Sequence, residues 1–330
     1  MPFGEVVIGS PGSGKSTYAF GKQQLLTALK RPIAIVNLDP ANDLVPYKCD
    51  VDIASLISLQ DAMEEYGLGP NGGMLYCMEY LEANFDWLEE QLRSAGLLFG
   101  DSYVVFDVPG QVELSSDHHS LKNIIGKLEK LGFRLVAVHL CDAYYVTDAA
   151  KYISVLLLSL RTMLHMGLPH INVLSKIDLI SRYGDLDFNL DFYTEVQDLS
   201  YLQNLLSASH PRFAALNEVI CGLVEDFSLV SFETLAVEDK TSMLHLMRTV
   251  DRVLGYVFVQ TSESNGENIQ KGTLQSNQDA LFSSAMGAIP DHNIQNIQER
   301  WIDNREEYDA WESREWRQEG MDAIERKSQK

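Results

Sequence analysis

The sequence predicts an α/β fold in which helices cover a doubly wound, mostly parallel sheet. Short apolar runs rich in Val, Ile and Leu alternate with longer segments whose apolar residues recur every three or four positions. Continuous apolar runs are typical of strands buried on both faces, as in parallel sheets. The strand candidates are Gly4–Ile8, Ile33–Leu38, Tyr103–Asp107, Arg134–Leu140, Ile171–Leu174 and Leu229–Phe232. The clearest helix candidates are Thr17–Leu29, Phe85–Leu92, Tyr152–Met166 and Ser242–Leu254.

Composition divides the chain into a large domain and a C-terminal extension. Residues 1–259 carry the alternating pattern, and the region of about 185–216 within them is predicted to be a helical insertion that packs on the core. Residues 260–290 include a stretch rich in Ser, Asn, Gln and Gly, which predicts a flexible linker. Residues 291–330 are predicted to form a charged helical tail, which either binds a partner or folds back on the domain.

The charge of the chain narrows the classes of partner. The formal net charge is −21. An acidic surface repels phosphate backbones and anionic lipids, so we expect neither direct nucleic-acid binding nor membrane binding. The longest apolar stretch, Ile153–Leu160, is too short to span a bilayer. The four cysteines form no C-x-x-C pair, which favours reduced thiols in a cytoplasmic or nuclear protein.

A glycine-rich segment follows the first strand candidate. Gly9-Ser-Pro-Gly-Ser-Gly-Lys15-Ser16 fits G-x-x-x-x-G-K-[ST] at every position and precedes a helix candidate, which predicts a P-loop nucleoside triphosphatase. In such a loop, backbone N–H groups and the helix N-terminus surround the phosphates. Lys15 would reach the β- and γ-phosphates, and the Ser16 hydroxyl would coordinate Mg²⁺. The residues predicted to bind nucleotide here are Gly12, Ser13, Gly14, Lys15, Ser16 and Thr17.

A second motif, Asp107-Val-Pro-Gly110-Gln111, begins at the end of a strand candidate. A carboxylate at the carboxyl end of a buried strand can hold Mg²⁺ through its water shell, which is the role predicted for Asp107. The Gly110 N–H is then placed to sense the γ-phosphate. Taken alone, the pattern also fits a β-turn containing Pro109.

A third motif, Ser175-Lys176-Ile177-Asp178, approximates the N/T-K-x-D pattern of GTPases. The Asp178 carboxylate can accept from both N1–H and the exocyclic amine of guanine, a pair of donors that adenine lacks. The aliphatic part of Lys176 can cover the base. Ser175 replaces the usual Asn or Thr, and an ordinary surface loop is the alternative interpretation. The predicted nucleotides are therefore GTP and its product GDP.

A further tripeptide, Gly69-Pro70-Asn71, lies between the phosphate loop and Asp107 and alone is only a turn sequence. Together with the motifs above and Asn37-Leu-Asp-Pro-Ala41, it makes the chain resemble the GPN-loop GTPases from Gly4 to about Phe258. The resemblance implies the P-loop fold of the dimeric signal-recognition and septum-site class.

The finer resemblance is to the second eukaryotic paralogue of that family. It rests on Leu75-Tyr-Cys-Met-Glu-Tyr-Leu81 and on Asn189-Leu-Asp-Phe-Tyr-Thr194 in the insertion. Members of the family act in the assembly and nuclear delivery of RNA polymerase II. The resemblance therefore implies polymerase subunits or assembly factors as partners, and a cytoplasmic protein that shuttles to the nucleus.

The resemblance also implies a homodimer, or a heterodimer of paralogues, in which the Gly-Pro-Asn loop crosses the interface. Asn71 would then meet the partner's nucleotide, where a neutral amide can donate to phosphate without the cost of burying a cation. Asp39 is the best candidate to orient or deprotonate the attacking water, with a role as a Mg²⁺ ligand or helix cap as the alternative. Gln111 and Glu113 are further candidates for positioning water. Lys15 is expected to act in catalysis as well as in binding.

Two other functions stay open at this point. Asn37-Leu-Asp-Pro-Ala41 and Ser175 also suit a dimeric ATPase of the targeting class. The acidic balance and the aromatic residues of the tail suit a nucleotide-loaded scaffold with negligible turnover. The set of motifs in order favours a GTP-hydrolysing switch over both.

Overall fold

The computed structural model describes residues 1–42, 44–99, 102–209, 211–256 and 294–311, with residues 313, 314, 317 and 321. These residues form one parallel sheet of seven strands in the order β3-β2-β4-β1-β5-β6-β7. The strands are β1 (Phe3–Gly9), β2 (Ala34–Asn37), β3 (Val51–Asp52), β4 (Tyr103–Asp107), β5 (Arg134–Asp142), β6 (His170–Ser175) and β7 (Phe232–Leu235). The predicted α/β fold with a parallel sheet is confirmed.

The central strand, β1, is the point where the strand order reverses. Strands β2 to β4 lie on one side of it, and β5 to β7 lie on the other. Open α/β sheets bind ligands in the crevice that such a reversal leaves at the carboxyl ends of the strands. The glycine-rich loop leaves β1 at this position, so the fold places the predicted phosphate site where a crevice is expected.

The bounds of β1, β2, β5 and β6 lie within two residues of the predicted ones, whereas β7 and β3 depart further from the prediction. β7 is Phe232–Leu235 instead of Leu229–Phe232, because Leu229 is exposed and pairing with β6 begins only at Phe232. The two-residue strand β3 was not predicted, since a segment of that length shows no periodicity. By contrast, β4 has the predicted bounds, and its five residues are all buried.

Helices connect the strands and cover both faces of the sheet. They are α1 (Lys15–Ala28), α2 (Leu59–Tyr66), α3 (Pro70–Ala83), α4 (Phe85–Ser94), α5 (Val112–Ser116), α6 (His119–Lys130), α7 (Ala149–Met166), α8 (Ile180–Tyr183), α9 (Leu190–Glu195), α10 (Ser200–Ser209), α11 (Ala214–Phe227), α12 (Lys240–Leu254) and α13 (Ile294–Gln298). Across the described residues, no helix has both the length and the apolar character that crossing a membrane requires.

The apolar core lies on both sides of the sheet. Val6 and Ile8 of β1 belong to a cluster with α3, α4 and α6, whereas Phe3 and Val7 belong to a cluster with α1 and α12. This division follows from the alternation of side chains along a strand. A third cluster lies beside β5 and β6 and brings together α7, the insertion and the C-terminal segment.

A buried ion pair joins the two elements that flank the glycine-rich loop. Lys22 Nζ of α1 lies 2.7 Å from Glu5 Oε1 of β1, and both side chains are completely buried. Tyr18 donates its hydroxyl to the other oxygen of Glu5 at 2.7 Å, and Tyr103 also donates to this carboxylate. Removing one partner, or moving α1 away from β1, would leave a buried charge uncompensated, which is strongly destabilising. These contacts therefore fix α1 against β1.

The insertion and the tail pack on the same part of the domain. Leu190, Leu202 and Leu206 are buried in the third cluster, as expected for helices that face the core. Helix α11 extends the helical region to Phe227, well past the predicted residue 216. In the tail, Ile297 is only 9% exposed and lies in this cluster, so the described part of the tail folds back on the domain. The predicted linker, 260–290, lies outside the described residues.

Candidate nucleotide-binding site

The glycine-rich loop turns directly from β1 into α1. Its conformation requires glycine at Gly14, the residue before the helix, where φ is 95°. Lys15 and Ser16 are the first two residues of α1. Their N–H groups are among the first four of the helix, which have no hydrogen-bond partner within it. Such a terminus carries a partial positive charge and binds phosphate readily. Ser13 is buried in the loop, whereas Gly12 and Thr17 are exposed.

The ammonium group of Lys15 lies inside the loop. Its Nζ donates to the carbonyl oxygens of Gly9 and Ser10 at 3.2 Å each, and the residue is 8% exposed. Burial lowers the pKa of Lys15, while the charges of Asp107 and Asp39 oppose that shift. A Cβ atom added to Gly110 would lie 2.7 Å from Nζ and 3.1 Å from Pro11 Cα, so a side chain at this position would crowd the glycine-rich loop.

The second motif meets the first at Asp107. Asp107 is 1% exposed, and its Oδ2 accepts from the hydroxyls of Ser16 and Tyr47 at 2.8 Å each. Asn42 in turn donates to Ser16 Oγ at 3.2 Å. Asp107 Oδ1 is buried with no hydrogen-bond partner among the described residues. Burial raises the pKa of Asp107, with Ser16 and Tyr47 opposing the shift.

The oxygen atoms of Asp107 and Ser16 are suitable ligands for Mg²⁺. A buried carboxylate oxygen without a partner is costly unless a cation or a donor satisfies it, and here it lies beside a serine hydroxyl. Mg²⁺ is usually held by one or two carboxylates together with substrate phosphates. Within the described ranges, no group of three or more His, Cys, Asp or Glu side chains could hold a metal alone. Ser16, Asp107 and Asp39 therefore stay the predicted metal residues, with the phosphates completing the shell.

Asp39 follows β2, the strand next to β4, which brings it to the same edge of the sheet as Asp107. Its Oδ1 accepts from the Ala41 N–H at 3.0 Å, while its own N–H donates to Asn37 Oδ1 at 3.1 Å. Burial raises the pKa of Asp39, and the Ala41 N–H and Lys15 oppose the shift. The side chain is only partly buried, so a water can reach it.

Sequence reasoning missed Asn42 and Tyr47. Both lie in irregular backbone after β2 and reach the Ser16–Asp107 pair from there. No periodicity marks such a segment. The sequence gives one signal for these two residues. Their segment follows Asn37-Leu-Asp-Pro-Ala41, at the carboxyl end of a predicted strand.

The third motif lies on the opposite side of the loop, after β6. Ser175 Oγ lies 2.7 Å from the Ser13 carbonyl oxygen and 3.1 Å from that of Cys141, so its hydroxyl ties β6 to the phosphate loop and to β5. Lys176 Nζ lies 2.7 Å from Asp142 Oδ2. A Cβ atom on Gly14 would lie 4.0 Å from Lys176 Cε, so the lysine stem borders the phosphate loop.

Asp178 lies in the short 3-10 turn that follows β6 and is half-buried. Burial raises the pKa of Asp178 most, and Glu238 acts in the same direction, while Arg305 and Arg182 lower it. The structure thus brings the three motifs to one edge of the sheet. The phosphate residues lie over β1 and β4, and Lys176 and Asp178 follow β6.

Comparisons with known proteins show the family of the chain. A family model described as "Conserved hypothetical ATP binding protein" matches residues 7–256. The chain is 52% identical to "GPN-loop GTPase 2" of Danio rerio over 92% of this chain and 93% of that one. It is 56% identical to "GPN-loop GTPase QQT1" of Arabidopsis thaliana over 78% of this chain and 87% of that one. The chain belongs to the GPN-loop GTPase family.

Two further similarities complete this placement in the GPN-loop GTPases. "GPN-loop GTPase 2" of Schizosaccharomyces pombe is 48% identical over 94% of this chain and 95% of its own length. These relatives confirm the finer resemblance to the second paralogue. A crystal structure of a GTPase from Pyrococcus abyssi in its apo form has a TM-score of 0.61 and 23% identity, and the match covers 75% of this chain and 96% of that one. At that identity, the structure supports the fold alone.

The tripeptide that names the GPN-loop GTPases forms the start of helix α3. Gly69 is the residue before the helix, and Pro70 is its first residue, where a missing N–H costs nothing. Asn71 is exposed, and its Oδ1 accepts from Gln111 Nε2 at 3.1 Å. The tripeptide therefore contacts the Asp107–Gln111 motif of its own chain. Glu113, by contrast, is an exposed residue in the first turn of α5.

Proposed function

We propose that this chain is a dimeric, GTP-driven switch that aids the assembly and nuclear import of RNA polymerase II. As a member of the GPN-loop GTPase family, the chain is a GTP-hydrolysing enzyme. The observation that carries the mechanism is the meeting of Lys15, Ser16 and Asp107 at the carboxyl end of β1. The dimer, the client and the residue roles below are proposals.

Phosphate binding uses the loop and the start of α1. The N–H groups of the loop surround the β-phosphate, and Lys15 exchanges its contacts with Gly9 and Ser10 for phosphate oxygens. Ser16 and Asp107 would hold Mg²⁺, which would neutralise charge on the phosphates. Gly110 lies against Lys15, so its N–H is close to where the γ-phosphate sits.

Hydrolysis needs one water in line with the γ-phosphorus. Asp39 is the residue proposed to orient that water and accept its proton, because it lies partly exposed at the same edge as Lys15 and Asp107. Gln111 follows Gly110 and helps to hold the water. The water oxygen attacks phosphorus, the bond to the β-phosphate oxygen breaks, and GDP and phosphate leave. Phosphoryl transfer depends mainly on positioning and on neutralising charge, and these groups supply both.

The proposed dimer uses Asn71. Its amide is exposed beside the phosphate-sensing motif and is available to the nucleotide of a second chain, either an identical copy or a paralogue. The role in polymerase assembly is supported by the family and by the acidic charge, which disfavours direct contact with nucleic acid. Polymerase subunits or assembly factors are the proposed partners, and the proposed location is the cytoplasm with shuttling to the nucleus.

Two alternative functions have an observation in their favour. The matching family model is described as ATP binding, and Ser175 departs from the usual GTPase motif, so an ATPase of the targeting class is the first. The second is a nucleotide-loaded scaffold with negligible turnover, favoured by the charge of −21.

Phosphate release from GTP and from ATP separates these functions. We expect the wild-type chain to release phosphate from GTP faster than from ATP, and the Asp39→Asn variant to lose about 10²-fold in GTP turnover while GDP affinity is kept. Asp86→Asn, an exposed change on α4, is the control. Faster ATP turnover would favour the ATPase, and negligible release with both nucleotides would favour the scaffold.

The dimer is tested by sedimentation and by Asn71→Ala. In a confirmed dimer we expect this variant to lose about 10²-fold in turnover with little change in GDP affinity, because one donor to the transition state is lost. Unchanged turnover in that dimer would exclude the cross-interface role. Co-purification from cells, with identification of the bound chains, tests the polymerase client.

A further inference from the structure

The described part of the C-terminal tail packs against the loop that carries Asp178. Ile297 is buried in the same apolar cluster as Ile177 and Ile180, and Ile177 lies between Lys176 and Asp178. Trp301 and Ile302, from the π-helical segment Glu299–Asp303, pack on the edge of this cluster. The tail therefore packs against the buried apolar side chains of the proposed base-binding loop.

Two polar contacts hold the tail in this position. Gln298 Oε1 accepts from the Leu190 N–H at 3.0 Å, which satisfies a backbone donor at the start of α9. Arg305 Nη1 donates to Ser181 Oγ at 2.6 Å, three residues after Asp178. The same guanidinium has its Nε 3.6 Å from Asp309 Oδ2, so its orientation is set from both sides. These contacts come from separate turns of the tail.

The base loop needs support from outside its own sequence. Lys176 has a φ of 59°, a left-handed conformation that is unfavourable for a non-glycine residue and that surrounding structure must maintain. Around Asp178, Glu238 contributes a like charge after β7, while Arg182 of α8 and Arg305 contribute opposite charges. Arg305 lowers the pKa of Asp178 against the effect of burial. The tail therefore supplies a positive charge that acts on this carboxylate.

We propose that Arg305 is a positioning residue for guanine recognition, and that the C-terminal segment 294–305 is part of the base site. Arg305 holds the turn that follows Asp178 through its hydrogen bond to Ser181, and its positive charge acts on the Asp178 carboxylate. Only ionised Asp178 can accept from both donors of guanine, so this charge favours guanine nucleotides over adenine nucleotides. The inference rests on the proposed role of Asp178.

The test compares Arg305→Gln with Arg314→Gln, which removes the same charge from an exposed position later in the tail. Calorimetric titrations with GDP and ADP, in the presence of Mg²⁺, give the ratio of the two affinities. We expect Arg305→Gln to bind GDP about threefold more weakly at pH 7, as for a partly exposed ion pair, with ADP affinity unchanged. Arg314→Gln should match the wild type.

The pH dependence distinguishes this role from loss of packing. Without Arg305 the pKa of Asp178 rises further, so GDP affinity should begin to fall at a higher pH on acidification than in the wild type. Arg305→Lys, which keeps the charge, should restore most of the wild-type pH profile. An equal loss of GDP and ADP affinity with an unchanged profile would overturn the inference.

Two further variants keep the result interpretable. Ser181→Ala removes the hydroxyl that accepts from Arg305 and leaves the apolar cluster intact. We expect this variant to lose less of the GDP preference than Arg305→Gln, and the double variant to lose no more than Arg305→Gln alone. If Asp178→Ala keeps the wild-type preference, the proposed base site itself is wrong. If Asp178→Ala loses the preference while Arg305→Gln and Ser181→Ala both keep it, only the role of the tail is wrong.

Discussion

The phosphate end and the base end of the nucleotide site are built from the chain in different ways. At the phosphate end, Lys15 and Ser16 lie in one continuous motif, and Asp107 reaches Ser16 from the end of a neighbouring strand. At the base end, Asp178 depends on β6, on Ser181 and on Arg305, which follows it by more than a hundred residues. The first end is local in sequence, and the second is assembled by tertiary packing.

This difference determines what each end can tolerate. At the phosphate end, the buried Glu5–Lys22 pair fixes β1 against α1, so the loop between them has little freedom to move. The base end depends on weaker, partly exposed contacts, which are worth little one at a time. Single changes should therefore be severe at the phosphate end and graded at the base end.

The largest expected effect is that of Lys15→Ala. Loss of the ammonium group at the phosphates should lower GTP turnover by roughly 10³-fold, because this charge acts on the transition state as well as on binding. Phosphate release is the measurement, and Lys130→Ala, an exposed change at the end of α6, is the control. Retention of more than a tenth of the activity would contradict the assignment of the phosphate end.

Asp178→Ala should have the next largest effect, and only on selectivity. Losing two hydrogen bonds to a charged acceptor should reduce the preference for GDP over ADP by about 10²-fold, with ADP affinity nearly unchanged. Calorimetric titration of both nucleotides measures this, and Asp226→Ala, a change at an exposed position of α11, is the control. An equal loss for both nucleotides would mean that the residue supports the fold and does not read the base.

Low pH should destabilise the side of the sheet formed by β5, β6 and β7. Burial lowers the pKa of His139 on β5 to about 4, although Asn172 opposes the shift. Between pH 6.5 and about 4 the unfolded chain binds a proton that the folded chain does not, so stability is full above pH 6.5 and falls as the pH drops. We expect a loss of about 2–3 kcal/mol over this range.

Urea unfolding measured from pH 7.5 to pH 4.5 checks this effect. His139→Gln, which keeps a polar group beside Asn172, should show a flatter dependence on pH even if it is less stable at neutral pH. An identical slope in the wild type and this variant would show that other groups carry the acid sensitivity.

Ser175→Ala should have the smallest effect. The variant loses the hydroxyl that ties β6 to the Ser13 carbonyl, which should cost about 1 kcal/mol of stability and a few-fold in GDP affinity. Ser154→Ala, a change at an exposed position of α7, is the control. A loss of guanine preference without a loss of affinity would instead place Ser175 in base recognition.

The sequence predicted for a physical reason that the residues of the proposed phosphate end lie together. Glycines, lysine and serine at fixed spacing specify the loop by local backbone geometry, and parallel strand order then brings Asp107 to it. Asn42 and Tyr47 escaped prediction because they lie in irregular backbone, where neither helical nor strand periodicity applies.

The base end was predicted only in part. The motif predicted the position of Asp178 after a strand, and its base-binding role stays a prediction. The contacts of Ser175 with Ser13 and Cys141 depend on the packing of β5, β6 and the loop. The role of Arg305 had no local signal, since the charged tail allowed both a partner-binding and a folded-back interpretation. Only tertiary structure distinguishes these two.

The packing of Ile297 has a practical consequence for handling the protein. The match to the family model ends at residue 256, which makes that position a natural place to shorten the chain. Removing residues 294–311 would leave the apolar surface around Ile177 and Ile180 facing water. Such a shortened protein should aggregate during purification, and its poor solubility could be mistaken for a need for a missing binding partner.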